Sequence, residues 1–311
     1  WSFTSNPAVE VNNNLTITAG TVTSTSGNLT ITNNYSNSGT FTHNSGTVIM
    51  NATDAGNTLA GTLSGTSKFY NLTFNGSGGA WSFTSNPDVE AANNFTITLG
   101  TVTSTSGNLT VTNNYSNSGT FTHNSGTVTM NATDAGNTMA GTLSGTTGKF
   151  YNLIFNGIGG AWSFTSNPNL EIVNDLTITA GTVTATNIYL YGNNSNSGTF
   201  TQNVKYFYLR GASKTLSGNL SGTSAFGRLY FDSGSTYTVT GGVDIEALYE
   251  FYGSGGATFT STTGNLIVRD TFLLSGGAFV HNNGTVKMYG SAMDIYTTSI
   301  TFYNFNTFAN I

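Results

Sequence analysis

Gly27-Asn-Leu-Thr-Ile-Thr-Asn-Asn-Tyr-Ser-Asn-Ser-Gly-Thr-Phe-Thr-His-Asn-Ser-Gly-Thr-Val48 is the stretch whose reading decides the fold. It returns at residues 107–128 with a single change, Val111 standing where Ile31 stood, and in altered form at 186–204 and 264–286. Two apolar/polar alternations, at 29–32 and 39–42, sit between Asn/Ser/Gly punctuation. Alternation with period 2 marks a strand with one buried face, and the punctuation marks turns. A short unit that recurs and cannot bury its own apolar face must stack on its copies.

Working outward, Trp1-Ser-Phe-Thr-Ser-Asn-Pro7 recurs at Trp81 and Trp162, 80 and 81 residues further on. In a fourth copy Tyr237-Thr-Val-Thr240 takes the place of Trp-Ser-Phe-Thr, and Glu246 falls in register with Glu10, Glu90 and Glu171. The chain thus reads as one solenoid of four long repeats, 1–80, 81–161, 162–236 and 237–311. Each subdivides further: in the second, units open near Lys68, Asp88, Asn108, Thr127 and Lys149, at intervals of about 20 residues. Units of this length with two or three short strands predict an all-β parallel solenoid of roughly 15–16 coils. The crossover preference predicts a right-handed one. The expected inward residues of the first repeat are Leu15, Ile17, Val22, Leu29, Ile31, Phe41, Val48, Met50, Leu72 and Phe74. Outward Thr suits a strand because it is β-branched and polar.

Phe69-Tyr-Asn-Leu-Thr-Phe74, Gly100-Thr-Val-Thr-Ser104, Gly107-Asn-Leu-Thr-Val111 and Asn117-Ser-Gly-Thr-Phe-Thr122 resemble the repeat regions of very large bacterial cell-surface proteins. Those regions are in turn similar to the β-helical stalks of filamentous-haemagglutinin-like and autotransporter adhesins. The resemblance covers the whole chain and implies an exported structural or adhesive role, extracellular or at the cell surface. It brings no catalytic signature.

Composition narrows the function classes. Of 311 residues only 7% are charged, and the net charge is −5, without the basic footprint that nucleic acid requires. Cys is absent, so thiolate metal sites and disulfides are excluded. No apolar run is long enough to span a bilayer. The chain opens on Trp1, as expected of a processed export product or of a segment of a longer protein.

Solenoids also carry polysaccharide-active enzymes, so the acids are the first catalytic candidates. Glu10, Glu90, Glu171 and Glu246 recur once per four coils, roughly 19 Å apart at the ~4.8 Å spacing of strands. Glycosidase carboxylates need about 5–9.5 Å. Asp54 and Asp134 occupy identical Asn-Ala-Thr-Asp turns. His43, His123 and His281 share one position, held by Gln202 in the third copy. None of these patterns makes a catalytic pair or a metal cluster, and the reading is non-enzymatic, with no cofactor. Asn-x-Ser/Thr sequons (Asn14, Asn34, Asn71, Asn94 and Asn108 among them) are read mainly as turn residues.

Three features remain as candidate binding elements. Thr-x-Thr pairs (Thr21 and Thr23, Thr40 and Thr42, Thr101 and Thr103, Thr120 and Thr122) predict paired rows of hydroxyls like those of ice-binding solenoids, or ordinary strand surface. The outward first-strand position reads Glu171, Tyr189, Tyr208, Tyr230, Glu246, with Tyr191 and Tyr206 alongside. This strip is expected to be an interface for lateral packing or for a glycan surface, or a ladder that stabilises its own sheet. Finally, Trp1, Phe3, Phe302, Phe305 and Phe308 are the candidate end-stacking residues. Uncapped solenoid ends either continue into further repeats or meet head to tail in a filament of like chains.

Overall fold

The computed structural model describes residues 1–3, 5–290, 294–297 and 299–309. The chain divides into two compact units, Trp1–Gly160 and Ala161–Ile311, each a parallel β-solenoid holding two long repeats. Coils average about 21 residues and number about 14, slightly fewer and longer than the units of about 20 residues predicted. Among the described residues the strand pairings are parallel and join residues roughly one coil apart, so backbone groups are satisfied between successive coils.

In the first unit three columns of strands run side by side. The first column stacks Val9–Val11, Asn28–Ile31, Thr47–Met50 and residues 71–74. The second stacks Leu15–Ile17, Tyr35–Asn37, Asn57–Gly61 and residues 81–83. The third stacks Thr21–Thr23 on Thr40–Thr42, then substitutes the 3-10 turn Gly65–Ser67 for a strand. There the Ser67 hydroxyl accepts the Phe41 N–H at 3.1 Å, taking over one bond of the missing ladder.

The first long repeat therefore contains eleven segments, counting that turn and the two halves of the strand Asn71–Phe83. Eleven is not a multiple of three. The second repeat consequently enters one column out of step: Val89–Ala91, the copy of Val9–Val11, stacks on the 63–69 turn in the third column. Thr73 pairs with Thr96, not with Glu90. The second unit repeats the offset, and Tyr230 pairs with Tyr252, not with Glu246. The outward register expected from sequence holds within each repeat and breaks at these two repeat boundaries.

The core follows the alternation. Ile17, Leu29, Ile31, Phe41, Val48, Met50, Leu72 and Phe74 are at most 4% exposed, whereas Leu15 and Val22, in the first coil, are half-buried. Rings run along the interior of the first unit: Tyr35 meets Phe41 and Phe69 at 5.9 and 5.5 Å, and Phe95 stacks on Tyr115 at 5.7 Å. Corners are held by asparagine ladders, Asn14 accepting from Asn34 (2.9 Å), Asn71 from Asn93 (2.9 Å) and Asn93 from Asn113 (2.7 Å). Four of the sequon asparagines are engaged in this way: Asn14, Asn34, Asn71 and Asn94.

The hydroxyls of Tyr35 and Tyr115 lie in the core without a hydrogen-bond partner among the described residues, and burial pushes both phenols upward in pKa. An unpaired buried hydroxyl costs its desolvation without return. Tyr35→Phe is expected to leave thermal stability unchanged or raise it by up to about 1 kcal/mol. A clear loss on calorimetry would mean that the hydroxyl is satisfied, for instance by an ordered water.

Candidate functional site

Two of the four recurring glutamates, Glu90 and Glu246, acquire a role from the column offset. Glu90 reaches the 3-10 turn of the preceding repeat, where Oε2 accepts the Gly65 N–H at 3.0 Å and Oε1 meets Lys68 Nζ at 3.1 Å. Glu246 does the same in the second unit, accepting the Gly222 N–H at 2.8 Å while its other oxygen binds Arg269. Its side chain is 3% exposed. Both carboxylates pin one repeat to the next. Glu10 faces outward opposite Thr30 in the first column and Glu90 sits in the third, so these two are separated by face as well as by height.

The recurring histidines are likewise engaged. His43 packs on Tyr70 at 5.4 Å, His123 on Tyr151 at 5.6 Å and His281 on Tyr303 at 5.6 Å. Their Nδ1 atoms accept turn N–H groups from Ser45, Ser125 and Asn283. Burial, assisted by Lys68 beside His43 and Lys149 beside His123, lowers the first two pKa values and favours the neutral acceptor form. Among the described residues no three His, Asp or Glu groups converge in a metal-binding arrangement. No described helix is long and apolar enough to cross a membrane.

Four tyrosines, Tyr189, Tyr208, Tyr230 and Tyr252, stand on successive coils, one more than the register read from sequence. Tyr189 and Tyr208 are parallel with centroids 4.7 Å apart; Tyr208 meets Tyr230 at 5.4 Å, and Tyr230 meets Tyr252 at 4.8 Å. Tyr252 escaped the sequence reading because the column offset places it, and not Glu246, next in line. Tyr206 packs on Tyr208 and Tyr230 from the side. Two arginines flank the column. Arg210 lies over Tyr189 (4.4 Å) and Tyr208 (5.5 Å), binds Asp232 at 2.6 Å and donates to the Tyr191 hydroxyl at 3.3 Å. Arg228 lies over Tyr206 at 4.9 Å and approaches Glu250, which accepts the Tyr230 hydroxyl.

The electrostatics are internally matched. Burial raises the Tyr208 phenol, with neighbouring Tyr189, Tyr206 and Asp232 adding to it. Burial and then the bond to Glu250 raise Tyr230. Burial opposes the charge of Arg210, but its bonds to Tyr191 and Asp232 outweigh that and raise its pKa. Tyr189, Tyr208 and their neighbours thus stack on one another and on Arg210. A sugar ring stacking on this strip would have to displace those contacts.

The Thr rows come out short. Thr21 pairs with Thr40 and Thr23 with Thr42, after which the 3-10 turn interrupts the column. Thr101 pairs with Thr120 and Thr103 with Thr122, but in a different column, above Ala80 and Ser82. Each row of Thr pairs is two coils deep, and the two rows look out from different faces of the first unit. This is far from one extended flat plane.

Of the end residues, Trp1 is 97% exposed while its N-terminal ammonium donates to the Thr21 carbonyl at 2.8 Å. Phe3 and Phe302 are half-buried, and Phe302 stacks on Phe305 at 4.7 Å. Phe305 and Phe308 are exposed. Compared with known protein families, with curated proteins and with solved structures, the chain matches none.

Proposed function

We propose that this chain is a structural, non-enzymatic solenoid segment of an extracellular or cell-surface fibre, of the adhesin-stalk kind that its repeats resemble. The observation that carries the reading is the engagement of Glu90 and Glu246 in pinning one repeat to the next. These two of the four recurring acids act as structural fasteners, and the surface around them is rich in Thr, Asn and Gly. Exposed Phe305 and Phe308 offer an apolar end to a further coil, in the same or a second chain. Laterally, the tyrosine strip is a second surface on which like rods can pack.

Electron microscopy and sedimentation of the 311-residue chain across concentration test this reading. Filaments or concentration-dependent growth are the expected result. Replacing Tyr189, Tyr208 and Tyr230 with Thr should reduce lateral bundling and leave end-to-end growth intact. A chain that stays monomeric throughout would remove self-assembly. Release of reducing ends from any of a panel of polysaccharides would remove the non-enzymatic reading.

A further inference from the structure

The fourth copy of the Trp-Ser-Phe-Thr motif builds something the earlier ones do not. At Asn71–Phe83 and Asn152–Phe164 the strand runs unbroken through the motif. In the fourth copy it is split into Phe226–Phe231 and Thr236–Val239, and Tyr237 replaces Trp. Tyr237 is 1% exposed; its hydroxyl is directed at the Leu190 and Gly192 carbonyls at 3.1 and 3.0 Å and accepts the Gly211 N–H at 3.2 Å. Above this anchored ring lies a groove of about 440 Å³, within the range of small-ligand sites, lined by Ser213, Lys214, Thr215, Tyr237 and rows of threonine.

Its polar groups face outward and are largely uncommitted. Thr215 pairs with Thr238, which pairs with Thr260, and Thr236 pairs with Thr258. Thr215 donates to Asn193, and the Thr236 hydroxyl oxygen accepts the Ser213 N–H. The hydroxyls of Thr238, Thr258 and Thr260 have no hydrogen-bond partner among the described residues, and Lys214 has no ion-pair partner there. Asp232, the acid nearest in sequence to Thr236, is held by Arg210.

We propose that this groove binds an anionic sugar, a hydroxylated ring bearing a carboxylate or sulfate. Lys214 takes the anion, and the threonine rows, spaced by the ~4.8 Å between strands, exchange hydrogen bonds with ring hydroxyls. The concavity distinguishes it from an ice-binding plane, and it is independent of the tyrosine strip and of the fibre reading.

The test is titration of the full chain with trigalacturonate, a neutral galactose trisaccharide and inorganic sulfate, followed by calorimetry and by NMR of the threonine methyl groups. Saturable binding of trigalacturonate is expected, with shifts at Thr238 and Thr260 and much weaker binding of the other two probes. Lys214→Gln should weaken it roughly tenfold or more. Thr238→Val with Thr260→Val should do likewise while conserving the strand. No saturation by about 10 mM, millimolar affinity at most, would overturn the proposal. So would equal binding of sulfate alone, or binding unchanged in well-folded variants.

Discussion

Trp81→Ala should cost about 3–5 kcal/mol, whereas Trp1→Ala, in the same heptapeptide, should change stability by no more than about 0.5 kcal/mol. The two residues are identical in local sequence and opposite in environment: Trp81 is 2% exposed and Trp1 97%. The Trp81 ring lies 5.2 Å from Phe74 and fits a cradle of glycines. A Cβ added at Gly79 would come within 2.4 Å of the indole, and one at Gly76 within 1.6 Å of the Ala52 carbonyl oxygen. The glycines of that cradle have no side chains to swing into the space an alanine would leave. Chemical denaturation of both variants decides the matter: comparable losses would mean that Trp1 is buried in solution, and a small loss at Trp81 that its cradle can close.

Arg269→Ala should destabilise the second unit by about 3 kcal/mol, on the order of 6–12 °C in Tm for a unit of this size. The partner left behind is Glu246, whose side chain is 3% exposed and cannot turn to water, while the Gly222 N–H offers a single compensating bond. Lys68→Ala in the first unit removes the cation from Glu90, which is 24% exposed and resolvates, so the expected loss is at most about 1 kcal/mol. Glu246→Gln should fall between them, since an amide oxygen still accepts from Gly222. Thermal unfolding of the three variants orders them. Equal losses for Arg269→Ala and Lys68→Ala would show that burial of the carboxylate is not what sets the cost.

Much of this molecule was legible in its residues. Alternation identified the inward set, and Asn and Gly clusters identified the corners, because strand period and turn chemistry are local. What remained hidden was the register between repeats. The likeness of Val9-Glu-Val11 to Val89-Glu-Ala91 invites stacking one on the other. Hydrogen bonding instead proceeds three segments at a time, through a repeat of eleven. The turn Gly65–Ser67 shows no alternation, so its place in a column was invisible, and with it the role of Glu90. For the same reason the strip was traced from Tyr230 to Glu246 when the next ring is Tyr252. The groove was missed because Thr236, Thr238 and Thr260 look like any strand surface until the neighbouring turn at Ser213 bends around them.

The offset of one column per repeat works like the leaf arrangement on a stem. A feature written once into the repeat, such as its glutamate, is carried to a new compass bearing at the repeat boundary inside each unit. Within the first unit the two copies of the glutamate and of the threonine rows therefore look out in different directions, and no single approaching surface meets both. Duplication of such a segment multiplies its markings around the circumference, whereas a strip such as Tyr189 to Tyr252 has to be written anew, residue by residue, along one bearing.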